Sequence, residues 1–582
     1  MTNSNAASDE SQNTQISVIS ANGTKENAEI PTIHRTRTMT ENATPSLSQY
    51  FGSSDATDET SKTIDLSEEL SEASIKINDL KLDDNLTSAN KNEPEVCRIF
   101  AETPPQPKDQ TTSFFDLIGN NHNVASNGLI SDLEITPNND DGYCPRVALG
   151  SEADRRRDAW IPSEKTRQCL IACSTAAPGT YFPERELLTM PGVLLEEDLG
   201  DNIAEAVTLC LGEAEAAQRS VLTESDVTQD ERGLRELVQA GSYRSAINLT
   251  ARLLTIYGQG RGRAGHPSKH SPHSLQLWFT RIALLVKTKA FGVAQSEAAP
   301  FGQLDKPDVF YQFYPEMYGG RPGSIASFSF RLLLSELPMH CGKPKDSLTK
   351  LYHIKSTIKQ MLDNLKQGLC EDGSPMEISE SDRADSIRLW VGRETRVLHS
   401  IVNCALALKD YELAMVIMEE LCHRNGTTRH MLYSALGRLR LQVGDVAGAE
   451  TCFDEARALR GNVMDMREYV DRGLLAVAQN SFDEAYIFFQ QASLLEPTNV
   501  MILNNMGVCL LYGGHLKEAI KVLESAIESN PVHALHESLL LNLCTLYDME
   551  SSKGRMKKFA LLRQISRYQA DAPTTILEKL YG

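Results

Sequence analysis

This sequence has little of what would place a protein in a membrane or outside the cell. No apolar run in its 582 residues approaches the roughly 18 needed for a helix to cross a bilayer. Residues 1–4 are polar and carry neither a signal-peptide core nor a glycine for myristoylation. The twelve cysteines are scattered without a CxxC pair, as is typical of reduced thiols in the cytosol. We therefore expect a cytoplasmic protein with no transmembrane segment.

Patterns that indicate catalysis or a cofactor are also scarce. The glycine-rich stretch 258–265 resembles a phosphate-binding loop, but it follows a predicted helix and no Lys-Ser or Lys-Thr closes it. Three nearby histidines, His266, His270 and His273, lie in a segment broken by prolines, which does not suit a helical metal site. We therefore predict a protein that is not an enzyme, with no catalytic residue, cofactor or metal.

Positive charge is scarce in the first quarter of the chain. The whole sequence has a net charge of −20, and residues 1–150 carry 10 Lys and Arg against 24 Asp and Glu, a net of −14. Nucleic acid and anionic membranes would repel such a segment, so neither is an expected partner. Because the segment is also poor in apolar residues, we predict a disordered acidic tail over residues 1–150.

Short aromatic motifs interrupt this tail. Phe114 and Phe115 stand in one apolar island, and Tyr50 and Phe51 form a smaller one. Because bare aromatic side chains are unfavourable in water, these islands are candidate docking motifs for a partner; chance clustering is the alternative. Three Thr-Pro steps in the same segment are candidate sites for proline-directed phosphorylation.

Residues 151–232 are apolar and aromatic but repeatedly broken by Pro and Gly. Neither a helical nor a strand period persists, apart from one short helix predicted at 163–172 with Ser163 as its cap. Such a pattern is typical of an extended strap that lies on another surface. Trp160, in this segment, is a further candidate docking residue.

Helical repeats with a fixed spacing follow the strap. A set of Gly, Ala, Ala and Pro recurs at an offset of 34 residues, and a partial copy precedes it by 36. The signature residues are Gly437, Ala449, Ala456, Gly473, Ala485, Ala492, Pro497, Gly507, Ala519, Ala526 and Pro531. Thirty-four residues is the tetratricopeptide period, in which small residues stand where two helices cross and Pro ends the second helix. The predicted fold class is all-α, a right-handed tetratricopeptide-type helical solenoid preceded by the disordered acidic region.

The repeats also set the predicted domain boundaries. Residues 233–430 should form degenerate helical repeats with insertions, and residues 431–550 should form regular tetratricopeptide repeats. We expect six to eight helix pairs, because a single pair cannot bury its own apolar face. A C-terminal capping helix is predicted within residues 551–582.

The first helices of such a solenoid line its concave side, where we predict a binding groove. Counted from the signature glycines, the candidate groove residues are Arg467, Val470, Leu474, Met501, Asn504, Val508, Leu511 and Tyr512. Their mostly apolar character favours a helix or an apolar strap as the ligand. That ligand is either a partner subunit or residues 154–207 of this chain. The alternative is that neighbouring repeats cover some of these positions, which then bind nothing.

Several unusual strings stand out in the strap and in the first helical repeats. They read WIPSE at 160–164, PGTYFPERE at 178–186, ELVQAGSY at 236–243, SLQLWF at 274–279 and DVFYQFYP at 308–315. Together they resemble the subunit 12 family of the trafficking protein particle (TRAPP) complex, over roughly residues 155–550.

The resemblance implies a non-catalytic scaffold subunit of a vesicle-tethering complex that is an exchange factor for a Rab-family GTPase. It implies a role in endoplasmic reticulum to Golgi transport, Golgi organisation and autophagy. Other TRAPP subunits are the expected direct partners, and the Rab protein is an indirect one. The expected location is peripheral, at the endoplasmic reticulum–Golgi intermediate compartment and the Golgi. A phosphorylation-regulated adaptor outside the complex, for example in mitotic kinetochore assembly, is the alternative and implies that part of the protein is nuclear.

Overall fold

Helices make up the regular structure of this chain. The computed structural model describes residues 152–581 apart from 177–180, 182, 376–377, 425–428, 462 and 551–552. The described residues form α-helices and short 3-10 helices, with two isolated β-bridges. The predicted acidic tail lies outside these residues.

Four short helices belong to the strap. They are α1 Glu152–Asp158, α2 Glu164–Thr175, α3 Asn202–Leu211 and α4 Glu213–Ala216. The hydroxyl of Ser163 accepts a hydrogen bond from the backbone N–H of Thr166, so Ser163 is the N-cap of α2, as predicted. The described residues between these helices form no regular element apart from one 3-10 turn at Arg185–Leu187.

Seven antiparallel helix pairs follow within the described residues. The first two are α5 Glu231–Gln239 with α6 Tyr243–Ile256, and α7 Pro272–Lys287 with α8 Phe291–Ala298, followed by the short helix α9 Pro315–Tyr318. The other five are α10 Phe328–His340 with α11 Pro344–Lys366, α12 Glu380–Ala407 with α13 Tyr411–His423, α14 Arg429–Gln442 with α15 Val446–Leu459, α16 Met466–Ala478 with α17 Phe482–Leu495, and α18 Val500–Tyr512 with α19 Leu516–Ser529. The predicted all-α solenoid of helix pairs is confirmed.

Each of these pairs turns at a residue with a positive φ. The turn residues are Gly241, Lys289, Gly342, Lys409, Gly444, Asn480 and Gly514, with φ between 60° and 85°. The residue after each turn donates its N–H to a carbonyl near the end of the first helix, as His515 does to Leu510 at 2.8 Å. This bond satisfies a carbonyl that the helix itself leaves unpaired. One backbone motif therefore closes all seven pairs, whether or not glycine provides it.

Four helices complete the chain. They are α20 Pro531–Ala534, α21 Glu537–Met549, α22 Gly554–Tyr568 and α23 Thr574–Tyr581. Residues 551–582 therefore contain two helices, where the sequence predicted one capping helix. The second is needed because Ile576, Leu577 and Leu580 of α23 cover apolar side chains of α21 and α22 that would otherwise face water.

Buried apolar residues form three clusters, and the strap contributes to two of them. Trp160 and Val193 belong to the cluster of the first helix pairs. Ile203 and Val207, on α3, belong to the cluster of the last pair and the C-terminal helices. The third cluster, which includes Phe489, is built on the repeats between them. Each such side chain contributes about 1.5–3 kcal/mol on burial, so both halves of the strap are firmly attached.

The strap and the first pairs also contact the C-terminal end of the chain. Arg219, whose side chain is 2% exposed, donates at 2.6–2.8 Å to the backbone carbonyls of Ser566, in the last turn of α22, and of Gln569 and Ala570, which follow that helix. Asn202 donates to the carbonyl of Ala572 at 2.6 Å. Lys289, at the turn of the second pair, pairs with Glu537 at 2.7 Å. The run of helix pairs therefore closes on itself.

Candidate partner-binding surface

The signature glycines lie where the two helices of a pair cross. A Cβ atom added at Gly473 would lie 2.8 Å from the ring of Phe489, and one at Gly507 would lie 2.9 Å from Leu523. Gly437 meets a phenylalanine ring in the same way. Real Cβ contacts are not this short, so even alanine would displace a buried neighbour. Packing, and not backbone conformation, requires glycine here.

The signature alanines occupy the second helices, and the prolines follow them. The alanines are all buried: Ala449, Ala456, Ala485, Ala492, Ala519 and Ala526. Pro497 is exposed just after α17, and Pro531 stands at the first turn of α20. These side chains are buried against their own pair or end a helix, so they build the scaffold. Two of them, Pro497 and Ala526, also line the cleft described below.

Neighbouring helices cover much of the predicted groove. Four of its eight residues are buried, namely Val470, Leu474, Asn504 and Val508. Arg467, Met501 and Leu511 are half-buried, and Tyr512 is 40% exposed.

The packing of first helices against one another explains this. The amide of Asn542, on α21, donates to the side-chain oxygen of Asn504 at 2.9 Å, so the next helix lies directly on α18. Tyr512 stacks on Phe482 with ring centroids 5.2 Å apart. The buried residues form the seam between repeats and are not available to a ligand.

An open cleft lies instead between α17, α18 and α19. It encloses a volume of about 480 Å³. Its apolar walls are formed by Tyr486, Leu503, Met506, Leu510 and Val522. Glu518 and Lys521 stand at its polar side. We call this feature the α17–α19 cleft.

Exposed apolar side chains also stand on α17, the helix that contributes Tyr486 to the cleft. Ile487, Leu494 and Leu495 are 55%, 69% and 54% exposed, and none of them lines the cleft itself. Exposed apolar side chains on a helix beside a cleft are typical of a site that another protein covers. The groove residues counted from the signature glycines do not include these side chains, because the count considered only the first helix of each pair. The sequence does contain an indication of them, since the apolar residues of α17 are spread over more of its surface than one helix pair can bury.

The first part of the strap is packed into the core of the early pairs. Trp160 is 7% exposed, and the guanidinium of Arg331 lies 4.2 Å from its ring centroid. The ring centroid of Trp390, on helix α12, lies 6.5 Å from that of Trp160. Trp160 therefore docks the strap onto its own solenoid and is not exposed to a partner.

A buried ion pair holds the middle of the strap. Arg281 and Glu297, both fully buried, share two hydrogen bonds at 2.6 and 2.9 Å. A carboxylate oxygen of Glu297 also accepts the backbone N–H of Leu194 at 3.0 Å. Asn248 bonds both backbone groups of Leu199, at 2.9 and 3.1 Å. Side chains of the solenoid thus provide the hydrogen bonds to the backbone of the strap that a neighbouring β-strand would otherwise provide.

A Thr–His–Asp cluster anchors the strap close by. The backbone N–H and the hydroxyl of Thr189 both donate to the carboxylate of Asp308 at 2.7 Å, and the hydroxyl lies 2.6 Å from Nε2 of His270. Burial lowers the pKa of His270 to about 3 and raises the pKa of Asp308. His270 is therefore neutral near pH 7. All three residues are at most 3% exposed, so the cluster pins the strap and offers a substrate no access.

Comparison with known proteins first identifies the repeat. The tetratricopeptide repeat model matches residues 502–533, which cover most of the last helix pair. Among solved structures, yeast Tom70 is similar at 10% identity with a TM-score of 0.25, over 58% of this chain and 76% of Tom70. Acl4, an assembly chaperone of RpL4, is similar at 14% identity with a TM-score of 0.21, over 58% of this chain and 99% of the other.

Comparison with curated relatives goes further. Mouse and human proteins, both named trafficking protein particle complex subunit 12, are 41% and 40% identical over 448 residues, 76% of this chain. This chain is a relative of TRAPP complex subunit 12. The resemblance predicted from its sequence is thereby confirmed. The match covers 56% of the mouse protein and 60% of the human protein, so the chain spans somewhat more than half of their length.

The remaining predicted features of this subunit 12 relative fall in different places. Phe114 and Phe115 lie outside the described residues. In the described part of the chain, no group of three or more His, Cys, Asp or Glu side chains is arranged to hold a metal ion. Among the same residues, no helix is both long and apolar enough to cross a membrane. The α17–α19 cleft is thus the candidate functional site.

Proposed function

We propose that this chain is a non-catalytic scaffold subunit of a TRAPP vesicle-tethering complex. The observation that carries the proposal is the 41% identity to mouse subunit 12 over 448 residues. At that identity the matched stretches of the two chains share a fold. The complex would act as an exchange factor for a Rab-family GTPase in endoplasmic reticulum to Golgi transport, Golgi organisation and autophagy. Its place would be peripheral, on the cytoplasmic side of the intermediate compartment and the Golgi.

The proposed mechanism is rigid presentation of a docking surface. Helix pairs that close on themselves through the strap hold their surfaces in fixed positions, which lowers the conformational entropy lost on binding. The α17–α19 cleft would then receive an apolar segment of another TRAPP subunit, and that segment would extend over the exposed Ile487 and Leu494 of α17. The Rab protein would be reached through those subunits and not directly.

Co-purification tests the proposal. The tagged full chain is recovered at moderate salt from its own cells, and proteins in the single large peak are identified by mass spectrometry. We expect several TRAPP subunits to elute with the chain. A form without residues 1–150 should recover them too, because the described helix pairs supply the proposed surface.

A double variant tests the cleft separately. Ile487→Asp with Leu494→Asp places two charges on the apolar surface and should reduce recovery of TRAPP subunits by about tenfold or more. Ile256→Asp is the matched control, because Ile256 is 77% exposed on α6, outside the cleft. Equal recovery with both variants would move the contact away from the cleft while leaving the subunit role intact.

Isolation of the chain without TRAPP subunits would contradict the role itself. If the chain instead elutes with partners that change during mitosis, the adaptor outside the complex becomes the better description. The helical fold does not depend on either result, because it follows from the packing described above.

A further inference from the structure

Helix α11 carries a positive stripe in an otherwise acidic chain. Residues 343–366 contain six lysines and two aspartates, a net charge of +4. Lys345, Lys359 and Lys366 are exposed, and their spacings of 14 and 7 residues correspond to about four and two helical turns. They therefore share one face of α11. In the described structure, neither Lys345 nor Lys359 has a carboxylate within ion-pair distance, whereas Lys366 pairs with Asp363 of its own helix.

Acidic groups from the adjoining helix neutralise only part of this stripe. Lys355 lies one turn before Lys359 on the same side of α11, and it pairs with Glu420 of α13 at 3.6 Å. In the described residues no carboxylate of α13 forms such a pair with Lys345 or Lys359. The two aspartates of the helix are already included in its net charge of +4. The stripe is therefore a surface with unused positive charge.

The chain enters the described structure close to the end of this stripe. Helix α1 starts at Glu152, and Arg155 forms an ion pair with Glu371, five residues beyond Lys366. Upstream, residues 132–141 contain four carboxylates and no Lys or Arg.

The tether between these two features is long enough. Eleven residue steps from position 141 to position 152 span at most about 36 Å. Helix α11 has 23 residues and is about 34 Å long. Residues 132–141 can therefore reach each lysine of the stripe while they stay joined to α1.

We infer that residues 132–141 bind along α11, with their carboxylates paired to Lys345 and Lys359. Opposite net charges of −4 and +4 favour the contact. Single exposed ion pairs are weak between separate molecules, but tethering makes the contact intramolecular and raises the effective concentration of the segment. The bound segment covers this face of the solenoid and competes with any other acidic partner for it.

Zero-length cross-linking tests this contact directly on the full chain. A carbodiimide joins a carboxylate to a lysine amine only where the two groups touch, and mass spectrometry locates the linked residues. We expect links from residues 132–141 to Lys345 and Lys359, and we expect added salt to weaken them because the pairs are exposed.

Charge reversal gives the matched comparison. The double variant Lys345→Glu with Lys359→Glu removes two of the lysines that could be cross-linked. The measured quantity in this variant is therefore the cross-linking of residues 132–141 to the two remaining lysines, Lys343 and Lys366. That linkage should fall by about tenfold, because two attractions become two repulsions. Lys517→Glu with Lys521→Glu is the control, on the exposed side of α19, where glutamates interrupt the lysines. It should leave the α11 links unchanged, and circular dichroism checks that both variants fold.

Three outcomes would overturn the inference. Links from residues 132–141 to Lys517 and Lys521 as frequent as those to α11 would mean non-specific attraction. Links formed between isotopically labelled and unlabelled chains would mean that a second copy occupies the stripe. The third outcome combines two results: the parent chain gives no cross-link to α11, and the α11 variant no longer binds phosphatidylserine vesicles. Together they would mean that the stripe contacts a membrane.

Discussion

The first and the last helix pairs use the same turn but differ in how far apart the turns are. The turn residues Gly241, Lys289, Gly342 and Lys409 are separated by 48, 53 and 67 residues, whereas Lys409, Gly444, Asn480 and Gly514 are separated by 35, 36 and 34. The early pairs carry insertions and the first part of the strap. The late pairs carry no insertion in the described residues, and of the strap only α3 joins the cluster of the last pair. The tetratricopeptide period persists where each pair packs chiefly on its sequence neighbours, and it fades where other segments take part in the packing.

The two regions also differ in what fills their interiors. The early pairs bury polar anchors for the strap, among them Arg281, Glu297 and His270. The late pairs also bury charged groups, since Glu468 pairs with Arg460 beside Asp471, but at their helix crossings Gly473 and Gly507 meet large apolar side chains. A buried ion pair is sensitive to loss of one partner, and a close-packed seam is sensitive to added volume. The two regions should therefore respond differently to mutation.

The largest loss of stability is expected from removing Glu297. Glu297→Ala leaves the guanidinium of Arg281 buried without its partner and the N–H of Leu194 without its acceptor. We expect the free energy of unfolding to fall by about 3–5 kcal/mol, measured by urea titration. Glu236→Ala, which removes the exposed pair with Arg232, is the control and should change little. Similar losses in both variants would show that burial of the pair is not what matters.

Added volume in the late seam should cost somewhat less. Gly473→Ala places a Cβ 2.8 Å from the ring of Phe489 and should destabilise α16 and α17 by about 1–3 kcal/mol. Hydrogen exchange followed by mass spectrometry would report this as faster exchange in those two helices. Gly392→Ala, on α12, meets nothing within 4 Å and should stabilise its helix by up to about 1 kcal/mol. Protection that is unchanged at Gly473→Ala would contradict the packing argument.

Acid should weaken the early pairs through His270. Its pKa is lowered to about 3 in the folded chain from an ordinary 6.5, so the unfolded chain takes up the proton first and stability is lost as the pH falls below about 6.5. His270→Gln cannot titrate. It should reduce the difference in unfolding free energy between about pH 7.5 and about pH 5.5 by about 1 kcal/mol.

His515→Gln is the control for this pH dependence, because His515 is exposed at the turn of the last pair. Asp308, whose carboxylate lies 3.6 Å from His270, is unchanged in its surroundings between the parent chain and His515→Gln. An unchanged pH dependence in His270→Gln would mean that the buried histidine is not the acid-sensitive group.

The smallest effects are expected at the turns themselves. A non-glycine residue in the left-handed region destabilises the folded chain by up to about 1–2 kcal/mol. Glycine avoids this strain but loses more conformational entropy on folding, which offsets part of its advantage. Gly514→Lys should therefore lower the melting temperature slightly. Lys409→Gly should raise the melting temperature, by an amount that is reduced because the contacts of the lysine side chain are lost. Shifts of the same sign at both turns would disprove a common turn conformation.

Local features were predictable wherever neighbouring residues decide them. Ser163 caps α2 because a serine oxygen accepts a nearby backbone N–H, which needs nothing from the rest of the fold. Helix α6, Tyr243–Ile256, lies between a glycine turn and a glycine-rich loop, and these neighbouring residues set its two ends. The 34-residue offset predicted the crossing glycines for the same reason, since each one meets a side chain of its own pair.

The candidate site was not predictable in the same way. Val470 and Leu474 have the spacing of groove residues, but whether such positions are open depends on the helix laid over them. Trp160 has the composition of a docking motif, but its pocket is made by Arg331 and Trp390, some 170 and 230 residues further along the chain. Long-range contacts of this kind leave no periodic trace in the sequence.

The sequence by itself determined the solenoid of helix pairs, the crossing glycines, the cap of α2 and the resemblance to subunit 12, because these follow from short-range packing and from strings of neighbouring residues. Tertiary structure alone decided that the strap is held by Glu297 and Asp308, that α3 joins the C-terminal cluster, and that the α17–α19 cleft stays open. The physical reason is that apolar burial is non-directional. It requires a hydrophobic face to be covered, and only the path of the whole chain selects which segment covers it.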